Sequence, residues 1–380
     1  MRRHHASKRR LALKGAWQLG KRSSDNGRQS PGGIPILSVF SGAGGLDLGF
    51  EQAGFLPVLA IDIALAAVRT YQRNHPQSRT VQLDLLDASP HEIIALWDES
   101  CSYPPLGIVG GPPCQAFSVS NVFQRDGDPR GMLVTSYARL ITTLAQEKGT
   151  LFFVFENVPG LLRGRHRIRF LEFCNTCQEA GFRLYWKILD AARFGVPQYR
   201  RRLFIVGIHE RAGTAPFDLP EGDREPATVR EAIGHLPEPW YYTRGLDPSQ
   251  NPVHPNHWTM QPRSCKFGSH MLVPGEMPGR SFRMLDWDKP SWTVAYGHRE
   301  VHVHPRGHRR LSVYEAMLLQ GFPPGYVLEG TLSQQITLVS DAVPPPVARA
   351  IASALASWLE QHGVIARLST GSAVPHGATQ

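Results

Sequence analysis

An α/β fold, with a mostly parallel Rossmann-like sheet and a smaller irregular domain set into it, is what these 380 residues predict. Three observations point there. Short apolar runs alternate with helix-length periodic stretches from about residue 34 to residue 209. The first run ends in a glycine-rich loop that opens a helix. Near residue 210 the texture breaks: Pro, Gly, Trp and Tyr become frequent and helical periodicity fades.

The elements follow in order. Ile34 to Phe40 is a buried strand ending at Ser41-Gly42-Ala43-Gly44-Gly45, and Leu46, Leu48 and Phe50 carry the helix behind it. Val58 to Ile61 is a second strand, closed by Asp62 and followed by a helix from Ala64 to Asn74. Val81 to Leu85, Gly107 to Gly110, Leu151 to Phe155 and Leu203 to Ile208 are further strands, with helices at Tyr137 to Gln146 and Phe170 to Ala180. Ser312-Val313-Tyr314-Glu315 has the spacing of a capping box, and Gly321 and Pro323 close the helix it opens. A last helix after Pro344-Pro345-Pro346 places Val347, Ile351, Leu355 and Leu359 on one face.

Composition narrows the class. With 42% apolar residues the chain can bury a core, which excludes whole-chain disorder. The longest apolar candidate for a membrane span, Leu56 to Val68, is broken by Pro57 and Asp62. Five cysteines make no disulfide framework and fit a reducing, cytoplasmic setting. The net charge of +9 is uneven: residues 1–33 carry six Arg and three Lys against Asp25, a net of +8. That segment lacks periodicity and reads as a disordered basic tail, either a phosphate-binding arm or a solvated extension. Residues 210 to 290 hold nine basic against eleven acidic side chains, so they form no basic patch.

Chemistry is concentrated at strand ends. Gly42-x-Gly44-Gly45 permits close approach of backbone to a nucleotide-like ligand, and Asp62, 20 residues after Gly42, stands where an acid meets ribose hydroxyls. Asp84 is placed to accept from an adenine amino group. Asp47 occupies the position of a third glycine, which favours an adenosine cofactor other than a dinucleotide. Gly110-Gly111-Pro112-Pro113-Cys114-Gln115 sets a cysteine in a rigid loop beyond a strand. Glu156-Asn157-Val158 ends another strand, and Gln198-x-Arg200-x-Arg202 brings guanidinium groups to the same sheet.

These motifs, in this order from about residue 34 to 360, resemble the DNA (cytosine-5)-methyltransferases, which use S-adenosylmethionine. The resemblance implies cofactor contacts from Phe40, Ser41, Gly42, Gly44, Gly45, Asp62, Ile63, Asp84, Leu85, Pro113 and Val343. It implies Cys114 as the nucleophile at cytosine C6, Glu156 at the exocyclic amine and N3, and Arg200 and Arg202 as their cationic neighbours. Ser340-Asp341 replaces the family's Gly-Asn, so the carry-over there is confined to Val343. An unperturbed thiol of pKa ~8.5 is only about 3% ionised at pH 7, and a glutamic acid of pKa ~4.3 roughly 0.2% protonated, so both groups need tuning. The Glu156 shift has opposing causes, desolvation against the arginines.

The resemblance divides the chain into the tail (1–33), a catalytic and cofactor-binding domain (34–209), a target-recognition domain (210–310), a return to the catalytic domain (311–366) and a flexible end (367–380). It further implies duplex DNA as partner, a flipped-out base beneath a mobile loop from Ser118 to Arg130, a monomeric and nucleoid-associated enzyme, and a cognate restriction endonuclease. No metal is expected: Cys174-x-x-Cys177 reads as a helix pair, and His298, His302, His304 and His308 as polar or phosphate-contacting residues. The Trp and Tyr residues at 240, 241, 242, 258, 287 and 292 read mostly as the core of the irregular domain. An RNA cytosine-5 methyltransferase and a non-catalytic DNA-binding relative remain as alternatives, the first disfavoured by the insert before Arg310.

Overall fold

A computed structural model describes residues 32–113, 132–164, 166–269, 271–276, 281–293 and 302–369. Cys114, the 118–130 segment, His298 and almost all of the basic tail lie outside the described residues.

Seven strands form the central sheet: β1 (Ile34–Val39), β2 (Phe55–Asp62), β3 (Arg79–Gln82), β4 (Gly107–Gly110), β5 (Phe152–Asn157), β6 (Phe182–Asp190) and β7 (Arg201–His209). Their spatial order is β3-β2-β1-β4-β5-β7-β6. The first five are parallel, and β7 runs antiparallel to both β5 and β6. The order reverses at β1, which pairs with β2 on one side and β4 on the other. Connections leaving such a pair in opposite directions open a crevice beyond the strands' carboxyl ends.

Helices cover both faces, because parallel strands such as β1 and β5, buried along their whole length, need apolar cover on each side. On one face α1 (Gly45–Glu51) packs with the late helix α9 (Pro345–Gln361), burying Leu46 and Phe50 with Val347, Ile351, Leu355 and Leu359. On the other lie α3 (Pro90–Ser100), α4 (Leu133–Lys148) and α5 (His166–Glu179). Between β2 and β3 runs α2 (Leu65–Asn74).

Several elements have no counterpart among the sequence expectations, one helix and one strand of the main domain among them. The helix α3 is announced only by Ser89, which caps Glu92, and by Pro90 at the first turn. The strand β6 is a half-exposed edge strand whose charged residues blur its alternation. Two boundaries also move: Asp84 lies two residues beyond β3, and Arg202 stands within β7.

After β7 the chain is irregular, as its composition predicts. Ala212, Phe217 and Leu219 still pack into the α9 side of the main core. From the short helix α6 (Val229–Ile233) onward, Val229, Ile233, Trp258 and Leu285 share a second core with α7 (Val313–Leu319) and α8 (Leu332–Asp341). Trp240, Trp287 and Trp292 pack against that core, whereas Tyr242 is exposed. Among the described residues no helix is long and apolar enough to cross a membrane.

The hinge of this second core is ionic. Ser312 Oγ accepts the Glu315 N–H (3.0 Å) and Glu315 Oε2 accepts the Ser312 N–H (2.7 Å), which completes the expected capping box. The same carboxylate takes both guanidinium ends of Arg309 at 2.8 Å, and both side chains are 1% exposed. Burial alone would raise the Glu315 pKa, but the Arg309 bonds outweigh it and hold the acid below its ordinary value. Removing one partner of a fully buried pair strands the other charge. Glu315→Ala is therefore expected to cost about 3–5 kcal/mol, read from the urea midpoint. Glu238→Ala, which deletes the half-exposed second acceptor of Arg309, should cost less than about 1 kcal/mol. Equal shifts for the two variants would refute this account.

Candidate active site

The crevice beyond β1 and β4 is a cavity of about 370 Å³. Its floor is the loop after β1. Gly44 adopts a left-handed backbone (φ 76°), and a Cβ there would collide with the Tyr326 hydroxyl and His75. Tyr326 OH in turn donates to the Ala43 carbonyl and meets His75 Nε2 at 2.9 Å, so the loop rests on a Tyr–His support. Phe40 also has a positive φ of 54°, a strained value for a residue with a side chain, held where the loop leaves β1.

Asp62, the last residue of β2, ties this loop to the next helix. Its Oδ2 accepts the Gly42 N–H at 2.9 Å and its Oδ1 the Ala64 N–H at 2.8 Å. Each oxygen keeps a further lone pair, which suits ribose hydroxyls. Asp84 is fixed by accepting the Leu86 N–H at 2.9 Å. Phe40, Ser41, Gly42, Gly45, Asp62, Ile63, Asp84, Leu85, Pro113 and Val343 all line the cavity. Gly44 is not part of the lining; it acts beneath the loop.

The far wall comes from β4, β5 and β7. Glu156 near the end of β5 pairs across the sheet with Phe204, which sets Arg202 two residues along the same face of β7. Arg202 Nε lies 3.1 Å from Glu156 Oε1, with the side chains only 15% and 10% exposed. Gly111, after β4, makes room for this pair, since a Cβ would sit 2.7 Å from Glu156 Oε2. Asn157 Nδ2 donates to the Pro112 carbonyl (3.1 Å) and so anchors the Gly-Pro loop where it heads toward Cys114. Burial lifts the Glu156 pKa, Arg202 and then Arg200 pull it down, and Asp341 adds to the rise. The net shift is upward: desolvation outweighs the arginines.

Arg200 sits elsewhere. It is 1% exposed and outside the lining, with Nη2 donating to the Ser340 carbonyl at 2.7 Å. It thereby clamps the end of α8 to the start of β7. Among the lining residues that the sequence did not assign to the site are Asp341, beside those arginines, and the pair Ser38 and Asp47. Two departures signalled them in the sequence: Asp47 in place of a third glycine, and Ser340-Asp341 in place of the family's Gly-Asn.

The other sequence candidates are accounted for locally. Cys174 and Cys177 are buried on α5, where burial raises the Cys174 thiol to about 11 and Cys177 higher still. Burial holds His302 and His304 down at about 4, so neither offers a cation to phosphate. Half-exposed His308 pairs with Glu238 at 3.1 Å. Among the described residues no three His, Cys, Asp or Glu side chains cluster as a metal site needs.

Comparison with known proteins gives a consistent set of likenesses. The family model of the C-5 cytosine-specific DNA methylases matches residues 34–357. Type II methyltransferase M.MthTI of Methanothermobacter thermautotrophicus is 33% identical over 350 residues, covering 86% of this chain and 98% of its own. Type II methyltransferase M.FnuDI of Fusobacterium nucleatum is 29% identical, covering 86% and 95%. Among solved structures, a prophage-encoded E. coli chain described as a DNA modification methyltransferase superposes with a TM-score of 0.70 at 25% identity, covering 86% and 99%. The S. pombe Dnmt2 methyltransferase, at 15% identity and a TM-score of 0.60 over 86% and 98%, shares the fold.

Of the buried acids in the cavity Asp47 is the costliest. Asp47 is 1% exposed, and burial raises its pKa to about 6, against a lowering by His75. A carboxyl whose folded pKa exceeds its unfolded value adds stability below the unfolded pKa and loses it as pH climbs through the folded one. From 3.8 to about 6, that loss is on the order of 3 kcal/mol at pH 8. Asp47→Asn should therefore raise the melting temperature of the ligand-free protein at pH 8 and leave it unchanged near pH 4. A lower melting temperature at pH 8 would contradict the desolvation account.

Proposed function

The chain belongs to the C-5 cytosine-specific DNA methylases, and on that premise we propose which residues perform the transfer. It is a DNA (cytosine-5)-methyltransferase of the Type II kind, from a restriction–modification system; we propose duplex DNA as its substrate and an endonuclease of matching specificity as its counterpart. The observation that carries the residue assignment is a shared cavity. The Glu156–Arg202 pair, the Gly42–Gly45 loop, Asp62 and the Pro113 approach to Cys114 all border one crevice.

S-adenosylmethionine, when bound, supplies an electrophilic methyl group. The residues present fit it: an acid with spare lone pairs for ribose in Asp62, a fixed acceptor for adenine in Asp84, and the unpaired buried carboxylate of Asp47. Phe40, Ile63 and Leu85 contribute apolar lining.

Cytosine C5 is too weak a nucleophile to take a methyl group unaided. The Cys114 thiolate adds to C6, which pushes electron density onto C5. Glu156, inclined by burial to keep its proton, donates to N3 and accepts from the exocyclic amine, so the ring withdraws electrons as the sulfur adds. Arg202 orients the Glu156 carboxyl and adds positive potential at the ring. Once C5 carries the methyl group it gives its proton to a base from solvent, the C5–H electron pair re-forms the C5–C6 double bond, and Cys114 leaves C6 as the thiolate. A target atom inside the stack is out of reach of this wall, so the base enters flipped out.

Bisulfite sequencing of DNA from cells expressing the chain tests the whole assignment: methylated cytosines in one sequence context are expected. Cys114→Ser should abolish methylation while DNA binding persists. Glu156→Gln should slow single turnover by roughly 10²–10⁴-fold, the range for a positioned proton donor. Robust methylation by Cys114→Ser, or an unchanged rate for Glu156→Gln, would overturn the corresponding role.

A further inference from the structure

Five acids line the cavity: Asp47, Asp62, Asp84, Glu156 and Asp341. Asp62 accepts two backbone N–H groups, Asp84 one, and Glu156 pairs with Arg202. Asp341 lies in the field of Arg200 and Arg202. Asp47 differs from all of them. Both of its oxygens are buried without a hydrogen-bond partner among the described residues. The hydroxyls of Ser38 and Tyr71 stand beside it and lower its pKa, but neither meets full hydrogen-bond geometry. Its nearest imidazole, His75, is committed through Nδ1 to Glu51 and through Nε2 to Tyr326, both at 2.9 Å.

A buried carboxylate with no full hydrogen bond to either oxygen is costly, and such a group facing a ligand cavity marks a missing donor. We propose that Asp47, with Ser38 beside it, binds the α-ammonium of the methyl donor's amino-acid end. The inference rests on the cofactor assigned above and extends it to a residue outside the glycine loop. Chemistry selects the ammonium. The donor's sulfonium is positive but has no N–H, so it cannot satisfy the two orphaned oxygens. The ribose hydroxyls already have Asp62. An ammonium offers three donors, enough for both Asp47 oxygens and for Ser38 Oγ. Ser38 on β1 and Asp47 on α1 address the same point from two elements, so the acid should function from either side.

Calorimetric titration of the full chain with S-adenosylhomocysteine, and with its analogue lacking the α-amino group, tests this. The unmodified protein should bind the amine-free analogue at least about tenfold more weakly. Asp47→Asn should bind both ligands alike, at the weaker level, while melting no lower than the parent. Exchanging the acid (Ser38→Asp with Asp47→Ser) should restore the preference for the amine. The proposal fails if Asp47→Asn keeps the tenfold preference, or weakens both ligands by the same factor, which is what a merely structural role would do. If the unmodified protein binds neither ligand, the cofactor assignment itself falls, and the proposal with it.

Discussion

The reversal of strand order at β1 is the constraint on which the rest depends. Because β2 and β4 flank β1 and are reached by connections on opposite sides, no helix can cover the carboxyl ends of β1 and β4. The chain must leave a crevice there. Everything with chemical potential then gathers by geometry: the glycine loop from β1, Asp62 from β2, the Gly-Pro loop from β4, Glu156 from β5 and Arg202 from β7. The antiparallel insertion of β7 matters in the same way. It turns a strand start toward the crevice, so an arginine meets a carboxylate carried near the end of its neighbour.

That convergence sets an electrostatic problem. Five acids around one cavity repel one another. Backbone N–H groups and two arginines neutralise four of them. The compensation at Glu156 is deliberately partial in effect: Arg202 holds the carboxyl in place, yet burial still leaves it easier to protonate than in water. A stronger ion pair would fix the side chain better and cost it the proton. Arg200, bonded to Ser340, adds a second and smaller pull on Glu156 without reversing the upward shift.

Much of this was legible in the sequence because it lies in contiguous motifs. The β1–glycine-loop–α1 unit, Asp62, Glu156 and the Ser312–Glu315 box each announce themselves within a few residues. What escaped is what depends on distant partners. The helix α3 and the edge strand β6 have weak local patterns and are stabilised by the sheet they join. Gly44 reads as a ligand contact, but its constraint comes from His75 and Tyr326, the latter 282 positions later in the chain. Arg200 and Arg202 look equivalent in sequence, but Arg200 stands just before β7 and bonds to Ser340 at the end of α8, whereas Arg202, inside β7, reaches the cavity. Domain limits drawn from composition face the same difficulty, since Phe217 and Leu219 follow the change in texture yet pack with α9.

Asp47 joins these themes. In a helix whose other inward residues are Gly45, Leu46, Gly49 and Phe50, a buried acid contradicts the pattern that builds the helix. The conflict could have been relieved by any donor in the fold, and two hydroxyls and an imidazole are close by. The imidazole is instead bonded on both nitrogens, one to Glu51 and one to the tyrosine that supports the glycine loop. The local architecture thus spends its imidazole on holding the loop in shape and leaves the acid without a well-formed hydrogen bond. A folded protein that retains such a charge does so against its own stability. The loop is kept rigid by the same arrangement that keeps the carboxylate empty, so a cation entering the cavity meets a fixed, dehydrated acceptor that needs no reorganisation.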